Sequence, residues 1–261
     1  MKRRTLLDTL CELYPEKDRE QHLASVLCGD VYVEGERVRD PKRLFASGAA
    51  ISFAEKSFVS RGGGKLEAAL EAWGIAAAGK TVLDAGCGTG GFTHCLLERG
   101  AACVHAVDVG YGQMHPSLKA APRVLLQEKT NIMGVQTLSP RPAFAVCDLS
   151  FRSLRGAARH IISLTEEGRL IALVKPQFEY EAPPADFDGV VRLPGALRDI
   201  LLGLVSSLEE EGVFAADLIE SPIRGHSGNR EFLFDLNTVR GLPPEAVREK
   251  ITALTDCGIF K

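Results

Sequence analysis

The sequence predicts an α/β chain, a doubly wound and mostly parallel sheet preceded by a small α+β module. Three observations carry that expectation. From Lys65 onward, short apolar runs bounded by Gly or Pro alternate with stretches of helical period, as in a parallel sheet covered on both faces. The stretch VLDAGCGTGGF at 82–92 turns a strand into a helix through closely spaced glycines, which exposes backbone amides at the helix start. Residues 1–55 lack this alternation and read as a separate unit.

Within that unit, helices are expected around Arg4–Leu13 and Asp18–Cys28, followed by strands in VYVEGERVRD and AAISF. The VEGERV piece alternates apolar and charged residues around a Glu-Gly turn, as a hairpin with one wet face does. Residues 56–64 read as a linker. Its three consecutive glycines and lack of apolar period mark a flexible joint or a loop that approaches something closely.

The main domain, 65–261, then runs as helix KLEAALEAWGI, strand TVLDAG, helix GGFTHCLLERG, strand ACVHAVDVG and a third strand before EKTNI. Strand AFAVCDLS, helix SLRGAARHIISLT, strand RLIALVKP, helix LRDILLGLVSSLEEEG and two late strands around FAADLIESP and REFLFDL complete it. A long acidic loop, EYEAPPADFD, follows the end of RLIALVKP.

Composition narrows the function. A chain of 261 residues, 45% hydrophobic, can bury a full core. No apolar run approaches the roughly 18 residues needed to span a bilayer. The N-terminus meets Asp8, Glu12 and Glu16 before any long apolar region, so no signal peptide is expected and a cytoplasmic protein is the default. The seven cysteines are odd in number and form no C-x-x-C pair, and the six histidines are scattered. Neither a disulfide framework nor a metal site is expected. A net charge of −3 argues against indiscriminate coating of nucleic acid. Basic residues nevertheless cluster as Lys2-Arg3-Arg4 and as Arg37, Arg39, Lys42 and Arg43. Those clusters can meet phosphate or form a solvated mixed-charge face. Without a long heptad or apolar stripe, a monomer is the default.

Open α/β sheets bind ligands at the C-terminal ends of their strands, where Asp84, Asp108, Asp148 and Lys175 fall. The glycines allow two readings, because Gly86, Gly88 and Gly91 satisfy a dinucleotide pattern while Gly86, Gly88 and Gly90 satisfy another. Asp108 suits ribose hydroxyls in either. Asp84 favours a ligand with a cationic group and repels a pyrophosphate; its bland alternative is an acid capping a turn. Lys175 lies directly after an apolar strand and before Pro176. It either pairs with an acid, Asp148 or Glu231, or is desolvated until it can serve as a base.

SRGGGKLEAAL, VLDAGCGTGGF, DVGYGQ, CDLSF, VKPQFE and SPIRGHSGNREF occur in the order and approximate spacing of one family. The chain resembles the TlyA-type ribosomal RNA methyltransferases, often called haemolysins, within the wider FtsJ/RrmJ-like 2′-O-methyltransferases. The resemblance implies a class I (Rossmann-like) methyltransferase domain dependent on S-adenosylmethionine, behind an S4-type RNA-binding domain. It implies methylation of cytidine riboses in ribosomal RNA, within ribosomal subunits, by a tetrad of Lys65, Asp148, Lys175 and Glu231. Asp84, Gly86, Gly88, Gly90 and Phe92 would hold the methionine part of the cofactor and Asp108 its ribose. Thr130 and Asn131 would meet the adenine or simply form a polar turn. Arg3, Arg4, Arg37, Arg39, Lys42 and Arg43 would meet RNA, whose shape and backbone suit an aromatic-poor surface. No metal is expected, since methyl transfer generates no phosphoryl charge.

Gly62-Gly63-Gly64 replace bulkier residues frequent in the family, and SFVS stands for an aromatic linker motif. Three rival readings remain. An NAD-dependent oxidoreductase leaves Lys65, Glu231 and the N-terminal module without a role. An RNA-binding assembly factor without activity leaves the tetrad unexplained, and a pore-forming haemolysin lacks a spanning segment.

Overall fold

The computed structural model describes residues 3–15, 19–28, 31–46, 48–53, 58–225 and 227–256. They fall into two compact units, 1–57 and 58–261. The first contains β1 (Arg3–Thr5), α1 (Leu6–Leu13), α2 (Arg19–Cys28), β2 (Val31–Val33), β3 (Glu36–Val38), β4 (Leu44–Ala46) and β5 (Ile51–Phe53). β3, β2 and β5 form one antiparallel sheet, and β1 pairs with β4 in another. Leu6 and Leu10 of α1 pack with Val26, Val31, Val33 and Val38 into a small core.

The first helix was expected from Arg4 but starts at Leu6. Thr5 caps it, accepting from the Asp8 N–H at 3.2 Å and donating to Asp8 Oδ2 at 2.7 Å, so Arg4 is left in a strand. Asp18, expected in the second helix, and linker residues 56 and 57 lie outside the described residues.

The second unit contains α3 (Gly62–Ala72), β6 (Thr81–Ala85), α4 (Gly91–Glu98), β7 (Cys103–Val107), α5 (Pro116–Lys119), β8 (Val124–Gln127), β9 (Phe144–Cys147), α6 (Ala158–Ser163), β10 (Arg169–Val174), α7 (Pro176–Glu179), α8 (Pro194–Glu210), β11 (Phe214–Glu220), β12 (Phe232–Asn237) and α9 (Pro244–Asp256). Its seven strands run in the order β11-β12-β10-β9-β6-β7-β8. β12 is antiparallel to both its neighbours, and the remaining pairings are parallel. The expected α/β architecture is thus present, with the short α5 and α7 and the longer α9 as helices beyond those expected from the sequence.

Burial explains why the strands read as unbroken apolar runs. In β9, Phe144 and Val146 enter the core shared with α3 and α4, whereas Ala145 and Cys147 enter the core shared with α6 and α8. Alternate side chains leave the sheet on opposite faces, so covering both faces requires apolar residues at every position.

The glycine run needs a correction, because Gly62-Gly63-Gly64 form the first turn of α3 rather than a linker. The reason is space. A Cβ on Gly63 would penetrate the Phe58 ring, and one on Gly91 would strike Ser60 and come 3.0 Å from the Gly63 nitrogen. α3 and α4 therefore meet backbone to backbone at their first turns.

Among the described residues, no helix is long and apolar enough to cross a membrane. Phe144→Ala, at a fully buried position, is expected to destabilise the second unit by about 3–5 kcal/mol. Urea unfolding at unchanged m-value measures this, and a loss under about 1 kcal/mol would contradict the two-sided core.

Candidate active site

At the C-terminal ends of the parallel strands lies a cleft of about 650 Å³. Gly86, Gly88, Phe92, Asp108, Thr130, Asn131 and Asp148, all singled out in the sequence, line it. The loop that follows β6 is shaped by two close approaches. Gly86, at φ 81, leaves 2.8 Å between a would-be Cβ and the Asp148 carbonyl oxygen. Gly90, at φ 93, caps α4, and a Cβ there would strike Leu118 and come 2.6 Å from the Met114 sulfur. Both demand a backbone that only glycine adopts readily. Gly90 is thus turned into the protein and is not among the residues that line the cleft.

The three strand-end aspartates sit in different surroundings. Asp108 Oδ2 accepts from the Gly88 N–H at 2.8 Å and Oδ1 from the Gly110 N–H at 2.7 Å. It ties the glycine loop to the loop after β7, and each oxygen keeps further lone-pair capacity toward the cleft. Asp148 also faces the cleft.

Asp84, expected to line the cleft as an anion, instead lies fully buried beneath it. Its Oδ2 accepts from Thr93 Oγ1 at 2.6 Å, while Oδ1 has no partner. Burial pushes its pKa up to about 7, helped by the nearby Asp148 and Asp108 and opposed by the Thr93 bond. Desolvation penalises the charged form. Cys87 of the same loop lines the cleft, and burial raises its thiol pKa as well, assisted by Asp84 and Asp108.

Two ion pairs bring together the four remaining charged residues. Lys65, on the first turn of α3, contacts Glu231, the residue just before β12, and both are buried. Lys175 Nζ lies 2.6 Å from Asp148 Oδ1. That approach is too oblique for a directed hydrogen bond, and Oδ1 makes none; the directed bond runs to Ser150 Oγ at 2.8 Å. Asp148 therefore belongs both to the cleft and to an ion pair.

Sequence reasoning missed Ser60, Gln113, Ser150, Phe151 and Arg152 of the cleft lining. Phe151 is 92% exposed, holds φ at 58° and packs on Phe178 at 5.2 Å between ring centroids. A non-glycine residue held there is strained, and such strain concentrates at working sites. Thr130 donates to the Glu128 carbonyl, and Asn131 accepts from the Met133 N–H. Both also form a local turn.

Of the basic residues in the first unit, Arg4 contacts Glu12, and Arg43 grips both oxygens of Glu36 at 2.8 and 2.7 Å. Arg37, Arg39 and Lys42 are exposed. The Arg3 side chain lies outside the described residues.

Asp84 makes stability depend on pH with a definite sign. A carboxyl whose folded pKa exceeds its unfolded value binds more protons when folded, so stability falls as pH rises from about 4 to about 7. Asp84→Asn removes that slope. Melting curves of the ligand-free protein at acid and alkaline pH are expected to show the variant gaining on the wild type, by up to a few kcal/mol on the order of magnitude of the shift. Parallel pH dependence in the two proteins would exclude a buried neutral acid.

Residues 58–238 match the family model described as FtsJ-like methyltransferase. The 16S/23S rRNA (cytidine-2′-O)-methyltransferase TlyA of Mycobacterium tuberculosis is 37% identical over 228 residues, 85% of each chain. The 23S rRNA (cytidine-2′-O)-methyltransferase TlyA of Campylobacter jejuni subsp. jejuni is 32% identical over 73% of this chain and 75% of its own. A solved, hemolysin-named structure from Streptococcus thermophilus superposes with a TM-score of 0.71 at 30% identity, covering 98% of this chain and 97% of its own. With its strand-end cleft, its sheet order and these likenesses across most of its length, the chain belongs to the FtsJ-like methyltransferase family.

Proposed function

We propose that the chain transfers a methyl group from S-adenosylmethionine to the ribose 2′-oxygen of a cytidine in ribosomal RNA. The observation that carries this reading is the double membership of Asp148, which lines the glycine-loop cleft and contacts Lys175 Nζ at 2.6 Å. In this reading the group that handles the acceptor stands beside the site that holds the donor. The names of the two curated relatives supply the target, cytidine in the RNA of one or both ribosomal subunits.

The residues present fit the cofactor. A volume of about 650 Å³ lies within the range of small-molecule sites, roughly 300–1,000 Å³. Gly88 has no atom within 4 Å of a would-be Cβ, which leaves its backbone open to close approach. Gly86, Gly88 and Phe92 would meet the methionine part, Asp108 the ribose, and Thr130 and Asn131 the adenine. The bound cofactor would supply an electrophilic methyl group, transferred in line as an O–C bond forms and the C–S bond breaks with its electron pair left on sulfur.

The chain's own groups hold the acceptor and its proton. An ammonium has three donors. Lys175 directs one to Ser150 and stands beside Asp148 as an ion-pair partner, which leaves a donor for the 2′-oxygen. In this reading Lys175 aims the oxygen, and the hydroxyl proton leaves by way of the Asp148 carboxylate to solvent. Lys65 and Glu231 keep the start of β12 and the first turn of α3 in register beside them. Phe151 offers a bare ring on which a base of the bound strand stacks, so stacking joins the shape recognition expected from an aromatic-poor surface. The first unit serves as an S4-type RNA-binding module through Arg37, Arg39 and Lys42, with Arg4 and Arg43 free to exchange an exposed acid for phosphate.

Tritium from methyl-labelled S-adenosylmethionine is expected in purified small or large ribosomal subunits, and to survive in an alkali-resistant dinucleotide. Lys175→Ala is expected to lower kcat by about 10²–10⁴-fold with cofactor binding intact, and Lys175→Arg, which keeps donors but is no base, to retain more. No transfer to subunits, whole ribosomes or naked ribosomal RNA, with cofactor bound, would refute the reading.

Phe151→Ala is expected to weaken RNA binding by about 5–150-fold, the equivalent of one stacked base at roughly 1–3 kcal/mol. Binding assays without cofactor measure this, and unchanged affinity would remove the stacking role.

A further inference from the structure

The segment that leaves Lys175 is fastened at two points. After α7 it runs as the acidic loop to α8. At its start, the buried Glu179 carboxylate accepts from the Leu154 N–H at 2.8 Å, from Ser153 Oγ and from Arg155 Nη1 at 3.2 Å. Those partners follow Asp148 in the chain, so the two halves of the Lys175–Asp148 pair are linked again behind the site. Near the loop's end, Asn229 makes the second attachment. Its Oδ1 accepts from the Val191 N–H at 2.9 Å, and its Nδ2 donates to the Gly189 carbonyl at 2.8 Å. Asn229 is only 4% exposed, and with one donor and one acceptor opposite it, a single amide orientation satisfies both.

Asn229 also shapes the turn that presents Glu231. Its carbonyl accepts from the Gly225 N–H at 2.9 Å. A Cβ on Gly225 would lie 2.6 Å from Glu231 Oε1, so this turn sits against the carboxylate that holds Lys65.

We propose that Asn229 is a positioning residue for methyl transfer, fastening the loop behind Lys175 to the turn that carries Glu231 so that the two ion pairs keep a fixed spacing. The inference rests on the proposed function for its kinetic test alone. Asn229 does not line the cleft, so its effect runs through Glu231.

Asn229→Ala removes both bonds, and Asn229→Asp keeps the acceptor while losing the donor. Cofactor affinity and KM for ribosomal subunits are expected to hold while kcat falls by about 10²-fold in Asn229→Ala, the effect of a displacement near 1 Å, and less in Asn229→Asp. The Asn229→Ala, Glu231→Gln double variant is expected to match Glu231→Gln, because the two residues act as one unit. In the cofactor-free protein, hydrogen exchange of Asn229→Ala is expected to lose protection at the Val191 amide with β10 and β12 unchanged. Unchanged kcat, an additive double variant, retained protection at Val191 or protection lost across β10 and β12 would each overturn the proposal. A wild type that methylates no RNA would refute the function reading instead, and the exchange experiment would still test the anchor.

Discussion

The buried contact between Lys65 and Glu231 is the constraint on which the second unit depends. It joins residues 166 apart in sequence, at the first turn of its first helix and just before its last strand. Removing an ion from water costs several kcal/mol, and only a well-placed partner offsets it. Either charge alone would be intolerable at these exposures, 9% for the lysine and 4% for the glutamate. The pair therefore fixes where α3 must begin and where β12 must enter the sheet. At the same end of α3, Gly63 and Gly91 let α3 and α4 close together.

At the edge of the sheet where the cleft opens, the character of each acid comes from its depth. Asp84, Asp108 and Asp148 end neighbouring strands. One is sealed and driven toward neutrality, one is held by backbone amides at the rim, and one faces a lysine. The same side chain serves as a buried acid, a loop clamp and an ion-pair partner because its solvent and donors differ. A ligand in the cleft would meet the latter two directly and the first only through the field beneath the loop.

Much of this was legible in the residues. Alternating apolar strands and helices announced the sheet, and a lysine stranded between IALV and Pro176 announced a charged pair. What failed to show has physical reasons. Strands of three residues, such as β1 and β4, are too short to display a period, so the first helix was expected too early. The three glycines allowed either a loose joint or a close approach, and only the packing of Phe58 on Gly63 decides for the second. Asp84 was misplaced because exposure is a tertiary property. Phe151 carries no local sign of its exposure or its positive φ. α9 did carry a signal, with Pro244 at its start and Val247 and Ile251 on one buried face.

The paired arginines of the first unit have a wider consequence on the RNA reading. Arg4 and Arg43 arrive already matched with Glu12 and Glu36, so these two add little positive field in solution. Charged surfaces that act from a distance gather any polyanion. A neutralised surface discriminates late, after collision, when a phosphate correctly placed displaces a carboxylate. Encounters with unrelated transcripts then end quickly, and time on RNA is concentrated where geometry permits that exchange.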